Sequence, residues 1–431
     1  MLSWAFAFQL RQYAKASLWI VPLFGLVLGV ILAEYAMAAD RTGWLSVKWQ
    51  YSATTASGVL TAIVGAMVAL LGFVVTIGVL VVQQATGTLS PRYMRLWYRD
   101  RLQKAVLATF TGTFAFAFSL LRSIGSDFVP NLGVTLAGLA VSVSLLLLLV
   151  YLNRFTHNLR PVAIADLVGR MGAKVLTRWA AGTGASAPSD DGPPLPDRPV
   201  TGIRSEHGGV IQAFHIVGLT AAAARHDCTF VVTHQVGDYV PPGAILVEVH
   251  GGTSAPDPRR VTGLVALGAE RTIEQDPAFA LRVLVDIAIR ALSPAVNDPT
   301  TAVQVLNHIE AFLYSAGRTE LPRRHVLNDD RGRPRLMMPG RVWEDYLQLA
   351  VTEIREYGAG STQVCRRLRA LLDGLLDTLS AEYLPAVRTE LRLLEDSVAR
   401  EFMDPFRHAT ARMGDTQGIG GGQRPEDAPH G

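Results

Sequence analysis

Four long apolar runs, at residues 17–36, 57–82, 105–121 and 132–152, constrain this chain more than any other feature. A helix of about 20 apolar residues crosses the hydrocarbon layer of a bilayer. Only helices and closed barrels satisfy every backbone polar group there. The fourth run, with SLLLLLVYL at its centre, is the strongest; the third is shorter and richer in Phe and Thr. The whole chain is 49% hydrophobic and 18% charged, below the roughly 25% charge of an ordinary soluble domain. The deficit is local to residues 17–152, whereas 205–410 reads as ordinary globular sequence. Residues 1–16 are amphipathic and carry Arg11 and Lys15. The run behind them is long enough to span and further spans follow, so they lead into a membrane helix and are not read as a signal peptide.

Flanking basic residues set the expected orientation. Arg11 and Lys15, then Arg92, Arg95, Arg99, Arg101 and Lys104, then Arg154, Arg160, Arg170 and Lys174 stand on one side, eleven in all, against Arg41, Lys48 and Arg122 on the other. Both termini are therefore expected in the cytoplasm of a bacterial cell, with a multi-pass chain in its inner membrane. The loop at 37–56, with Trp44, Trp49 and Tyr51, is expected outside at the interface. Between spans two and three, Arg92, Arg95 and Arg99 alternate with Leu89, Tyr93, Leu96 and Trp97, a pattern for a segment lying on the inner membrane surface.

Span two carries Gly58, Ala62, Gly65, Ala69, Gly72 and Thr76 at steps of four and three. All lie on one helix face, where small side chains let another backbone approach. That face is expected either to pack against a helix or to line a pore. Spans two to four contain no charged residue, which argues against a secondary transporter.

Beyond the spans, residues 155–179 continue as a helix. The proline-rich stretch around GTGASAPSDDGPPLPDRP is expected to be a flexible linker. The expected divisions are 1–179 (membrane and juxtamembrane), 180–204 (linker), 205–268 (β-rich), 269–412 (mainly helical) and 413–431 (disordered tail). The expected fold class is thus an α-helical membrane domain of four transmembrane helices plus a mixed α+β cytoplasmic domain. Residues 236–249 (VGDYVPPGAILVEV) resemble the hairpin of biotinyl/lipoyl barrel-sandwich domains. Lys174 is the last lysine of the chain, so no lysine there can carry such a cofactor. Residues 321–340 suggest a hairpin turning at Asp329-Asp330-Arg331-Gly332, followed by three helices.

The most informative stretch outside the membrane is ERTIEQDPAFALRVLVDIAIRALSPAVNDPTTA, residues 270–302. Asp276-Pro277 and Asp298-Pro299 are helix-start signals, because Asp caps free N–H groups and Pro is tolerated in a first turn. SPAVN separates the two helices. Arg282, Asp286 and Arg290 recur every four residues and share one face, where opposite charges pair. With Asn297 and Asp298 they form either a salt-bridged face or a candidate binding surface for a ligand the sequence does not identify. Glu270, Glu274 and Asp276 beside Arg271 are explained by capping and ion pairs. His226, Cys228 and His234 lack the spacing of a metal site. Two distant cysteines suit neither a disulfide framework nor zinc. No catalytic residue, cofactor or metal is expected, and a net charge of +3 gives no reason to expect nucleic acid.

Two segments, around SPRYMRLWYRDRLQKAVL and around RTIEQDPAFALRVLVDIAIRALSPAVNDPTTA, resemble a bacterial family of predicted membrane proteins, domain of unknown function 2254. Ser90-Pro91-Arg92 and Asn297-Asp298-Pro299 carry the resemblance, which extends over most of residues 15–405. It implies several N-terminal spans and a large cytoplasmic part, and no activity. The expectation is a non-enzymatic membrane protein, a homo-oligomer in the lipid bilayer, with a cytoplasmic sensing or binding domain and a channel-like character. The alternatives are an anchored enzyme using the 270–298 region, or a scaffold.

Overall fold

The structure is a computed structural model that describes residues 3–42, 50–88, 100–125, 128–158, 160–182, 199–252 and 254–419. Arg92, Arg95 and Arg99, Trp44 and Trp49, most of the proline-rich stretch and the end of the tail lie outside the described residues. The chain forms two compact units, Gln12–Arg160 and Pro161–Gly431, the second joined by Met1–Arg11.

The first unit holds four helices long and apolar enough to cross a membrane, α2 (Ile20–Thr42), α3 (Ala53–Thr88), α4 (Arg101–Ser123) and α5 (Asn131–Asn158). They correspond to the four apolar runs. The third run is the inner helix. Half of the apolar stretch of α4 is buried, against 28% or less for the others. Its weaker apolar signal has a physical cause: α4 meets protein where the others are open. Thr111 Oγ1 donates to Pro22 O at 2.9 Å, and Thr113 and Ser144 hydroxyls meet at 3.3 Å. Asp40, near the end of α2, accepts from the Leu132 and Gly133 N–H groups at 3.0 and 3.3 Å, capping α5.

Glycine-mediated close packing occurs between α2 and α4. A Cβ on Gly25 would stand 2.2 Å from Ala108 O, and one on Gly29 2.2 Å from Gly112 O. The span-two stripe is placed differently. A Cβ on Gly58, Gly65 or Gly72 would meet nothing within 4 Å, and Ala62, Ala69 and Thr76 are exposed. Within the chain, α3 packs through Leu60, Ile63, Met67, Val74 and Val81 instead.

The second unit opens with α6 (Pro161–Gly182). By its contacts α6 groups with this unit. Two sheets follow. β1 (Pro199–Arg204), β3 (Cys228–Val232), β5 (Ile245–Gly251), β7 (Arg324–Asn328) and β8 (Pro334–Pro339) form one, in the order β1-β5-β3-β8-β7. Its one parallel pairing, Phe230 opposite Leu336, inserts the β7–β8 hairpin beside strands about a hundred residues earlier. β2 (Gly209–Phe214), β4 (Tyr239–Val240) and β6 (Val265–Gly268) form the other, in the order β4-β2-β6. Residues 236–249 are thus shared by both sheets. Ile211, Phe214, Phe230, Val247 and Leu336 fill the core between strands, with α7 (Ile216–Arg225) and the short α8 (Pro258–Thr262) alongside.

The helical part comprises α9 (Pro277–Ala291), α10 (Pro299–Gly317), α11 (Trp343–Gly358), α12 (Thr362–Thr378), α13 (Leu384–Glu401) and α14 (Pro405–Arg412). Both Asp-Pro signals act as helix starts: Asp276 accepts from Phe279 N and Asp298 from Thr301 N, each at 3.0 Å. Gly172 lets α6 lie close on α9 and α10, since a Cβ there would stand 2.7 Å from Ala280 Cβ and 3.1 Å from the Phe312 ring. The amphipathic α1 (Trp4–Ala16) begins on this unit, with Trp4 stacked on His215 at 4.9 Å and Ala5 N–H donating to Gly263 O.

Candidate functional site

The charged face of α9 is a satisfied ion-pair network. Arg282 Nε donates to Asp286 Oδ1 at 2.7 Å, and its Nη2 to Glu353 Oε2 of α11 at 2.9 Å. Asp286 is buried, and Arg290, one turn on, is exposed. Asn297 takes a left-handed conformation (φ 48°) that closes the SPAVN turn through its N–H to Ser293 O at 2.8 Å. Asp298 spends both carboxylate oxygens on Thr301, through its N–H and hydroxyl. Arg282, Asp286 and Glu353 come together across two helices, whereas Asn297 and Asp298 build the turn.

His226, Cys228 and His234 do not converge. His226 bonds the Ser254 hydroxyl, Cys228 lies against Ala223 O, and His234 bonds the Thr233 hydroxyl. Among the described residues no group of three His, Cys, Asp or Glu side chains is placed to hold a metal.

A small pocket in the second unit gathers ionisable groups the sequence does not bring together. It has a volume of about 50 Å³ and lies between Trp179 of α6, the turn at Gln235, the start of α9 at Asp276, His325 of β7, Arg341, and Tyr346 of α11. These come from five separate parts of the chain. α6 reaches it because Gly172 fits against α9 and α10, two turns before Trp179.

Asp276 is 3% exposed. Its Oδ2 accepts from Arg271 Nε at 2.8 Å and Nη2 at 2.7 Å, and its Oδ1 from the Phe279 N–H at 3.0 Å. Burial pushes its carboxyl above the ordinary range, with Arg271 opposing. Gly237 (φ +95°) covers this pair, and a Cβ there would stand 2.6 Å from both Arg271 Nη2 and Asp276 Oδ2. His325 is buried and its pKa is pushed down by that burial. Its Nε2 accepts from Trp179 Nε1 at 3.3 Å, so the neutral ring carries its proton on Nδ1. Tyr346 is 4% exposed, and burial raises the pKa of its hydroxyl. Gly340 is pressed against Pro322 O and the His325 ring and accepts from Gln235 Nε2 at 3.0 Å, which fixes the backbone just before Arg341. Sequence reading finds Asp276 as a cap. The other lining residues carry no local signal, being single residues in elements of other purpose.

A wider groove of about 670 Å³ runs along the first turns of α1, past Ser205–Gly208 and Arg259–Gly263. Its charged side chains, Arg259 and Glu206, are 88% and 63% exposed and 3.9 Å apart. It offers backbone and solvated groups, with no buried ionisable residue to impose selectivity.

With the spans and the second unit in place, the comparison with known families is decisive. The model of the family described as "Predicted membrane protein (DUF2254)" matches residues 15–374. The chain belongs to the DUF2254 family. This DUF2254 protein is also similar to an uncharacterized protein of Mycobacterium bovis and to one of Mycobacterium tuberculosis. Each is 30% identical over 408 residues, covering 91% of this chain and 78% of the relative. No solved structure matches the chain significantly. The family match covers all four spans, α9, α10 and every lining residue of the small pocket.

Proposed function

We propose that this protein is a homo-oligomeric, channel-like protein of the bacterial cytoplasmic (inner) membrane, with both termini inside and the second unit acting as a cytoplasmic ligand sensor. The observation that carries the reading is the wall of the small pocket. Trp179 belongs to α6, which begins at Pro161, directly after the last span ends at Asn158. A ligand that binds one position of α6 better than another shifts that helix by its differential affinity, and α6 is the segment that follows the last span in sequence. The eleven-to-three distribution of Lys and Arg supports the orientation. The open stripe Gly58, Ala62, Gly65, Ala69, Gly72, Thr76 supports assembly, because three glycines in one helical register cost stability unless something uses the space. An enzymatic role for residues 270–298 is less well supported, since Asp276 and Asp298 already use their oxygens in caps.

Single cysteines at 58, 62, 65, 69, 72 and 76, in the full chain in membranes, test the reading with a water-soluble thiol reagent. Labelling confined to this face, and altered by Trp179→Ala, is expected. Labelling nowhere along the span would reduce the stripe to a packing face and end the channel reading. Reporter fusions at 42, 99, 126 and 414 should alternate outside, inside, outside, inside, and an external 414 would overturn the orientation.

A further inference from the structure

We propose that the small pocket beside α6 is an oxyanion site, taking a carboxylate or phosphate group on Arg341 and the Tyr346 hydroxyl. The proposal rests on the reading of this pocket as the sensor's ligand site and gives that ligand a chemical class.

The uncommitted donors decide the class. Asp276 is neutralised locally by Arg271, whose Nε and Nη2 both reach its Oδ2, while its Oδ1 is taken by the Phe279 N–H. Arg341 is left over. It is half-buried and close enough for its charge to act on both Asp276 and Tyr346. Among the described residues it donates no hydrogen bond and forms no ion pair. Glu344, the nearest other acid in sequence, is exposed, and Asp345, whose charge also acts on Tyr346, caps α11 by accepting from Val342 N at 3.1 Å. His325 is neutral and adds no charge. The pocket therefore holds a guanidinium whose fork of N–H donors is uncommitted and partly withdrawn from water, the arrangement an oxyanion satisfies.

The second donor is Tyr346. The residue is almost fully buried, its ring lies 5.7 Å from that of Phe312, and its hydroxyl has no hydrogen-bond partner among the described residues. Its raised pKa keeps the proton on the oxygen throughout the ordinary pH range, so it faces an anion as a donor. Neither the hydroxyl nor the guanidinium is sealed from solvent, so both open onto the cavity, where a shared acceptor can take a hydrogen bond from each.

Size sets the ligand's class further. A buried water needs about 10–15 Å³ of such volume, so a space of about 50 Å³ holds about four non-hydrogen atoms. That suits one carboxylate or phosphate group, with any larger remainder extending through the mouth. Arg341 at the strand exit is positioned by Gly340, whose backbone is held between Pro322, His325 and Gln235. The backbone that carries Arg341 into the site is thus held in place.

The test uses the full chain purified in detergent. Sodium phosphate and sodium acetate are titrated at constant ionic strength against sodium chloride, with binding followed by calorimetry and by the fluorescence lost in a Trp179→Phe background. Saturable binding of phosphate, acetate or both is expected, and which of them binds tells a phosphate ligand from a carboxylate one. Arg341→Gln should weaken binding by about tenfold or more, and Tyr346→Phe by a smaller factor, from the loss of charge-assisted and neutral hydrogen bonds. Both variants should keep the thermal midpoint of the anion-free protein. Binding left unchanged by Arg341→Gln overturns the proposal. A Trp179 response to ammonium or glycerol with none to either oxyanion also overturns it, while leaving the pocket as a ligand site. No response to any solute removes both the oxyanion assignment and the sensor reading.

Discussion

Replacing Gly29 by alanine probes the contact on which the membrane unit depends. The new Cβ would stand 2.2 Å from Gly112 O and 3.0 Å from Gly112 C. Real Cβ atoms essentially never come within 3.0 Å of such a neighbour, so α2 must retreat from α4 by at least 0.8 Å at this point. The obstacle is backbone, which cannot rotate aside. Opening a packed interface by roughly 0.5–1 Å forfeits a quarter to a half of each dispersion contact across it. Overpacked sites of this kind cost about 1–3 kcal/mol. Gly29→Ala should fall in the upper part of that range, because α4 is the inner helix and its other contacts resist the shift. Gly25→Ala meets Ala108 O at the same 2.2 Å. The double variant should cost clearly less than the sum of the two, since one retreat of α2 relieves both clashes. Gly65→Ala is the internal control. With nothing within 4 Å of its Cβ it should leave the single chain as stable or more so, gaining up to about 1 kcal/mol of helix propensity. The assay is reversible unfolding in mixed micelles, with the chain held monomeric. A Gly29→Ala variant within about 0.5 kcal/mol of the parent, or a strictly additive double variant, would refute the backbone contact.

Three further outcomes follow from the second unit. Asp286→Ala should cost about 1.5–3 kcal/mol in chemical denaturation, the worth of a hydrogen bond to a charged group. Asp286→Asn should cost about half as much, because the amide oxygen still accepts from Arg282 Nε while Glu353 holds the rest of the fork; equal losses would contradict this geometry. Asp329 and Asp227 both pair with the buried Arg335. The Arg333 N–H first, and the Arg335 side chain, hold Asp329 well below the ordinary carboxylate range; the Arg335 hydrogen bond holds Asp227 below it. Depressed carboxylates stabilise the fold above the unfolded pKa of about 4 and lose that contribution as pH falls below it. The melting midpoint should therefore drop below about pH 4, and Asp329→Asn should flatten that drop; an unchanged acid limb would exclude the cluster as its cause. Gly237→Ala needs an unfavourable φ and displaces Arg271 and Asp276 together, so near-ultraviolet dichroism should report a disturbed pocket with the four spans still helical. A full-stability variant with an unchanged spectrum would argue against the cradle.

The sequence by itself determined the elements. Four apolar runs of spanning length have one physical solution in lipid, and the four helices follow them. Asp276-Pro277 and Asp298-Pro299 start α9 and α10 because capping is a local exchange between a side chain and N–H groups two or three residues away. The hairpin at 329–332 forms for the same reason, with Gly332 at φ +73° and Asp329 accepting from Arg331 and Arg333. Even the family is legible, since its motifs are stretches of contiguous residues.

Only the tertiary structure decided which faces meet. Gly25 and Gly29 touch α4 while the more regular stripe of Gly58, Gly65 and Gly72 stands open. Both patterns permit close approach, and the choice between them is set by how all four helices pack at once. The parallel pairing of β3 with β8 joins strands whose separation no local periodicity records. The small pocket is the extreme case. Trp179, Asp276, His325, Arg341 and Tyr346 are each unremarkable in their own segment. Their meeting at one cavity, with the uncommitted donors of Arg341 among them, exists only once α6, both ends of the hairpin and α11 are folded against one another.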